Sequence, residues 1–172
     1  YTLLGLISGG REGFGATLFY TTSYAFTLLG AFAIVGFVRR ETGGDDLKNF
    51  AGLQARSPLL AGCMTIFILS LAGLPPLAGF FGKFYLFSAA FRAGENHGLL
   101  WLVALALFGS LISLYYYLLV LKLIFVDQTR AGDGTIEPGF LQRVSLGVLA
   151  AGIIALGIIP GALVARIATA LQ

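Results

Sequence analysis

The stretch Leu69-Ser70-Leu71-Ala72-Gly73-Leu74-Pro75-Pro76-Leu77-Ala78-Gly79-Phe80-Phe81-Gly82-Lys83-Phe84-Tyr85 lies inside a long apolar run, residues 58–91, whose single charge is Lys83. As one straight helix that run would measure roughly 50 Å at 1.5 Å per residue, well beyond a hydrocarbon core of about 30 Å. Gly73, Pro75, Pro76 and Gly79 mark a break within it. Neither proline has a backbone N–H to continue a helix, and each pushes the residue before it out of the helical region. Two short apolar segments are expected, residues 58–72 and 77–92. An interruption at that depth requires protein or a water-filled cavity to satisfy the freed backbone groups.

The rest of the composition agrees with lipid as the solvent. Of 172 residues, 58% are hydrophobic and 11% charged, and the mean hydropathy is +0.90. Soluble domains average about 45–50% apolar and roughly 25% charged, and a chain of this size has too much exterior for its volume to hide such a surface. The net charge of +3 does not imply nucleic acid, because the basic residues are scattered over loops and helix ends with no basic, aromatic-interleaved face. Cys63 is the only cysteine and His97 the only histidine, so an internal disulfide and a closed zinc site are both excluded. Phosphate-cradling loops, paired intramembrane carboxylates and haem-ligand pairs are missing too. No cofactor or metal site is expected in this chain, and neither redox chemistry nor nucleotide hydrolysis is done by it.

Outward from the break, the sequence predicts an all-α, polytopic transmembrane bundle forming a single membrane domain over residues 1–172. Residues 1–8 read as a stub, the end of a helix whose start precedes Tyr1, and the chain as a fragment. After a loop at residues 9–13, residues 14–38 form a span stopped at the interface by Arg39-Arg40. Residues 41–57 are polar and interfacial, with Asp45 or Asp46 capping a short helix whose Leu47, Phe50 and Leu53 share one side. Further spans are expected at residues 98–126 and 142–166, the last with Pro160-Gly161 near its end. With alternating spans the side carrying Arg39, Arg40, Lys48, Arg56, Arg92 and Arg166 outweighs the side carrying Arg11, Lys122, Arg130 and Arg143 and would be cytoplasmic. The broken segment need not cross fully, however, so the orientation is left open.

Lys83 carries the chemistry. A charged lysine midway along a membrane helix costs on the order of 2.5–3.5 kcal/mol on insertion scales, and one that can lose and regain its proton there is a relay element. The alternative is a snorkelling lysine whose aliphatic stem carries the ammonium to the headgroups. Lys122 lies near the end of its span, where snorkelling accounts for it. Tyr116, within Tyr115-Tyr116-Tyr117, is a secondary candidate for a polar path, with aromatic packing or an interfacial belt as the alternative. Glu12, Glu95 and His97 read as ordinary loop residues.

Residues 69–85, quoted above, resemble the signature of the antiporter-like membrane subunits of respiratory complex I. Ser113-Leu114-Tyr115-Tyr116-Tyr117-Leu118, Asp46-Leu47, Phe50-Ala51-Gly52-Leu53 and Arg56-Ser57-Pro58 narrow the similarity to the family of subunit N and mitochondrial subunit 2. The likeness runs from Tyr1 to about Phe125 and continues more loosely through the last span.

The resemblance implies an antiporter-like fold with inverted repeats and interrupted helices, of which this chain would be the last helices. The family carries a chain of buried lysines and a glutamate along a hydrated axis. Lys83 matches the last lysine by motif position, and the others would lie upstream of Tyr1. The implied function is proton translocation in NADH:quinone oxidoreductase, with NADH, FMN, iron–sulfur clusters and quinone bound by other subunits. The implied partners are another antiporter-like subunit, a small membrane subunit and the bilayer, with no nucleic acid, and the implied location is a bacterial plasma (inner) membrane. Two other readings stay open at this point: a subunit of a related cation/proton antiporter or membrane-bound hydrogenase, and a structural membrane scaffold.

Overall fold

The computed structural model describes residues 1–93, 99–128 and 134–170. Glu95, His97 and Arg130 lie outside them. The described residues form helices and connectors with no strand: α1 (Thr2–Ser8), α2 (Gly10–Thr42), a short 3-10 helix (Leu47–Phe50), α3 (Leu53–Arg56), α4 (Pro58–Ala72), α5 (Ala78–Ala93), α6 (Leu100–Phe125), α7 (Phe140–Ile158) and α8 (Pro160–Ala170). Helices α2, α6 and α7 are long and apolar enough to cross a membrane. The chain is an all-α, polytopic membrane protein.

Helices α4 and α5 have 15 and 16 residues, so each measures only about 22–24 Å at 1.5 Å per residue. Neither alone spans a core of about 30 Å, and residues 73–77 separate them. Pro58 occupies the first turn of α4, after Ser57 in an extended conformation, a position where the missing N–H is not needed. At the other end Gly73 adopts φ 84°. Its N–H donates to the Ser70 carbonyl at 3.0 Å and that of Leu74 to the Leu69 carbonyl at 3.0 Å. This is the Schellman closure, and it favours glycine at the left-handed position. Helix α7 covers one flank of the break: a Cβ on Gly157 would collide with the Pro76 carbonyl and Leu77.

In a membrane, helices associate through close packing rather than escape from water, and small residues at crossings permit it. Helix α2 meets α4 in this way, with the Phe67 ring occupying the space where a Cβ on Gly30 would stand. Around that crossing Ile34, Val38, Leu53, Leu60, Ile124, Leu146 and Ile153 are fully buried.

Several boundaries differ from the sequence reading. Residues 10–13 are not a loop but the first turn of α2; the corner is confined to Gly9 and Gly10, at φ 64° and 62°. The glycines there serve contact as well as turning, because a Cβ on Gly13 would strike the Gly5 carbonyl of α1. Helix α2 runs past Arg39-Arg40 to Thr42 and ends at left-handed Gly43. Asp46 precedes the 3-10 helix without a side-chain capping bond, and Asp45 instead lies 3.9 Å from Arg39. Phe50 and Leu53 are buried while Leu47 is exposed. The segment expected as one span over 142–166 is two helices, because Pro160 forces Ile159 out of the helical region, to φ −124° and ψ 61°.

Candidate functional site at the helix break

Ending α4 at Ala72 leaves its last carbonyls without intrahelical donors. Lys83, about one and a half turns into α5, supplies them. Its Nζ donates to the Leu71 carbonyl at 3.0 Å, to the Ala72 carbonyl at 3.0 Å and to Ser110 Oγ of α6 at 3.0 Å. An ammonium has three N–H donors, and all three are matched. The residue is 8% exposed, so its stem does not carry the ammonium out of the protein. The Tyr1 ring lies 5.2 Å from Nζ, within cation–π range, and Tyr1 Oη donates to the Ala106 carbonyl of α6 at 3.0 Å.

Opposing effects act on this group. Removal from water penalises the ammonium, whereas the C-terminal end of α4 presents partial negative charge. Such a placement is worth typically 0.3–1 kcal/mol and up to ~2 kcal/mol when partly buried. Among the described residues no carboxylate is paired with Lys83; its partners are carbonyl dipoles, a hydroxyl and a ring. Such a cradle holds a cation without locking it in an ion pair.

Glycines let the two half-helices approach. A Cβ on Gly79 would overlap the Ser70 carbonyl, and a Cβ on Gly73 would stand 3.0 Å from Lys83 Cδ. The Gly79 N–H donates to Ser70 Oγ at 3.2 Å. Ser70 Oγ lies 3.4 Å from Thr27 Oγ1, which in turn donates to the Ser23 carbonyl at 2.7 Å. Tyr20, Ser23, Tyr24, Thr27 and Ser70 line, with Lys83, a void of about 10 Å³, near the minimum for one water. A wider groove of about 470 Å³ between Arg11, Arg92, Phe84 and Ile167 does not include Lys83.

Of the residues singled out from the sequence, Lys83, Gly73 and Gly79 meet here, and Pro75 and Pro76 lie in the break. Tyr116 and Lys122 do not join them. Both are exposed in this chain, and Tyr116 packs its ring edge-on to Tyr115 at 5.5 Å. Sequence reasoning missed Ser110, Ser70 and the hydroxyl row on α2. Tyr20, Ser23 and Thr27 recur at spacings of three and four in an apolar helix, a helical polar stripe that was available to be read. Ser110 had no such signal. Among the described residues no group of three His, Cys, Asp or Glu side chains gathers to hold a metal.

A discontinuous helix pair, packed against long apolar helices and holding a buried lysine at the interruption, defines a polytopic membrane protein of the broken-helix kind. More particularly, the chain belongs to the family described as NADH:quinone oxidoreductase/Mrp antiporter, TM, which it matches over residues 1–113. It is 44% identical to NADH-quinone oxidoreductase subunit N 2 of Acidobacterium capsulatum over 95% of this chain and 33% of that protein. Respiratory complex I from Thermus thermophilus contains a chain that is 30% identical with a TM-score of 0.76, the match covering 95% of this chain and 36% of that one. A chain of the Mrp complex from Dietzia sp. DQ12-45-1b shares the fold, with a TM-score of 0.84 at 23% identity, over 99% of this chain and 39% of that one. The chain spans about a third of the length of the curated relatives it matches, as the 33% coverage of the Acidobacterium protein illustrates.

Proposed function

We propose that this chain is part of a proton-translocating membrane-arm subunit of an NADH:quinone oxidoreductase, and that Lys83 is a member of its proton relay. The observation that carries the reading is the Lys83 cradle: a buried lysine bound by the open end of a broken helix and a serine, with no carboxylate partner among the described residues. The redox identity rests on the 44% identity to a complex I subunit N. On this reading NADH, FMN, iron–sulfur clusters and quinone are bound by other subunits. The neighbours are another antiporter-like subunit and a small membrane subunit, and the membrane is a bacterial plasma membrane.

The mechanism follows from the charge balance at Nζ. Quinone reduction elsewhere in the complex shifts charge along the membrane arm. A positive charge arriving near Lys83 destabilises its ammonium and drives a proton out. Its departure lets the amine reload from the other side. The carbonyls of Leu71 and Ala72 hold Nζ in place in both states, and Gly73 leaves room for the side chain.

The test is NADH-driven proton uptake by vesicles carrying the whole complex with Lys83→Met in this subunit, after a native gel has shown assembly. The reading expects an assembled complex that pumps far less than wild type. Undiminished pumping would reject the relay role. Co-purification of the full-length subunit with NADH-oxidising, flavin-containing subunits tests the complex I assignment separately, because an Mrp-type antiporter would bring none.

A further inference from the structure

We propose that Ser110 is the proton-exchange partner of Lys83, the hydroxyl through which protons reach and leave Nζ. This rests on the relay reading of Lys83. Of the three groups that accept hydrogen bonds from Nζ, two are the main-chain carbonyls of Leu71 and Ala72, which have no proton to give; Ser110 is the third. When Nζ is an ammonium its three donors match the three acceptors. When it is a neutral amine it has two N–H groups and a lone pair, and a carbonyl facing that lone pair is repelled. A serine hydroxyl can rotate to donate to it. Ser110 is therefore the contact that satisfies both protonation states without moving the helices.

The hydroxyls that line the void beside Lys83, on Tyr20, Ser23, Tyr24, Thr27 and Ser70, make no hydrogen bond to Nζ. Among the described residues Ser110 is the one hydroxyl bonded to it. The Ser110 O–H donates to no acceptor among the described residues, so it is free to turn either way. In the transfer, an Nζ–H bond breaks as a new Oγ–H bond forms. The original Oγ–H proton passes at the same time to a water molecule beyond the serine, which leaves a neutral amine, a neutral hydroxyl and a hydronium. Reloading runs the exchange in the opposite direction, from a hydronium on the other side of the membrane, toward which the Ser110 hydroxyl has turned.

The experiment uses the full-length subunit in its assembled complex and compares Ser110→Ala, Ser110→Thr and Ser110→Val with Lys83→Met. Thr and Val have the same shape and differ in the hydroxyl, so they decide the question even if the alanine variant fails to assemble. The expected result is that Val, and Ala where assembled, lower NADH-driven proton translocation by about 100-fold or more, as for a lost acid–base group. Thr should restore most of it. Equal rates for Thr and Val, fast or slow, would overturn the assignment of Ser110. If Lys83→Met pumps normally, the relay reading itself fails; if it does not pump and Ser110→Val does, only the role of Ser110 is lost.

Discussion

The side chain of Lys83 lies against the backbone of Gly73, so that a Cβ at position 73 would stand 3.0 Å from Cδ and 3.1 Å from Nζ of the lysine. The same glycine holds φ 84° to close the end of α4. One residue thus ends the helix and leaves room for the group that satisfies its carbonyls.

Gly73→Ala should therefore cost twice. A non-glycine residue in the left-handed region loses about 1–2 kcal/mol, and the new methyl also displaces Lys83. Gly43→Ala is the control, with φ 77° and nothing within 4 Å of its Cβ. Both variants should lower the dissociation temperature of the complex, and Gly73→Ala alone should also reduce proton translocation in the fraction that assembles.

Gly79→Ala introduces a Cβ into the Ser70 carbonyl and pushes α5 away from α4. Overpacking of this kind costs typically about 1–3 kcal/mol. The Gly79 hydrogen bond to Ser70 Oγ lies at the same point. Reduced assembly on a native gel is expected, and Gly79→Val should be worse than Gly79→Ala.

Arg56 is 6% exposed and binds the connectors of the bundle to each other. Its Nη1 donates to the Asn49 carbonyl at 2.9 Å and its Nε to the Gly134 carbonyl at 3.3 Å. Its own carbonyl accepts from the Ile136 N–H at 3.0 Å. Arg56→Met removes these side-chain bonds inside the protein, a loss of about 1–3 kcal/mol for each buried group left unsatisfied. A lower thermal midpoint is expected, with proton translocation per assembled complex unchanged.

Lys122 and Tyr116 are exposed in this chain and take no part in the Lys83 cradle. Lys122→Met and Tyr116→Phe should change stability by no more than about 0.5 kcal/mol and leave pumping at the wild-type rate. A sharp loss in either would mean that the proton path runs along the outer face of α6.

The helix break was legible because its causes are local. Two adjacent prolines and a glycine interrupt an apolar run, and Lys83 stands out by charge alone. The start of α2 was not legible, because Gly9, Gly10 and Gly13 read as a loop until the contact of Gly13 with Gly5 shows that they serve packing. Pro160 was visible, but an apolar pattern continuing beyond it suggested one span where there are two helices. The partners of Lys83 are set by tertiary contact. Ser110 is 27 residues from Lys83 along the chain, and Ser70 is 43 from Thr27. A serine in an apolar helix has no local feature that announces its partner.

On the proposed mechanism Lys83 must give up and regain a proton, not merely carry a charge. Lys83→Arg isolates that requirement, because a guanidinium keeps the positive charge and the donors but does not deprotonate in proteins. The measurement is protons moved per NADH oxidised by vesicles carrying the assembled complex with this substitution. A sharp fall in that ratio or in coupled turnover is expected, comparable to that of Lys83→Met. A ratio and rate equal to wild type would contradict it and leave Lys83 as a fixed charge that closes the end of α4.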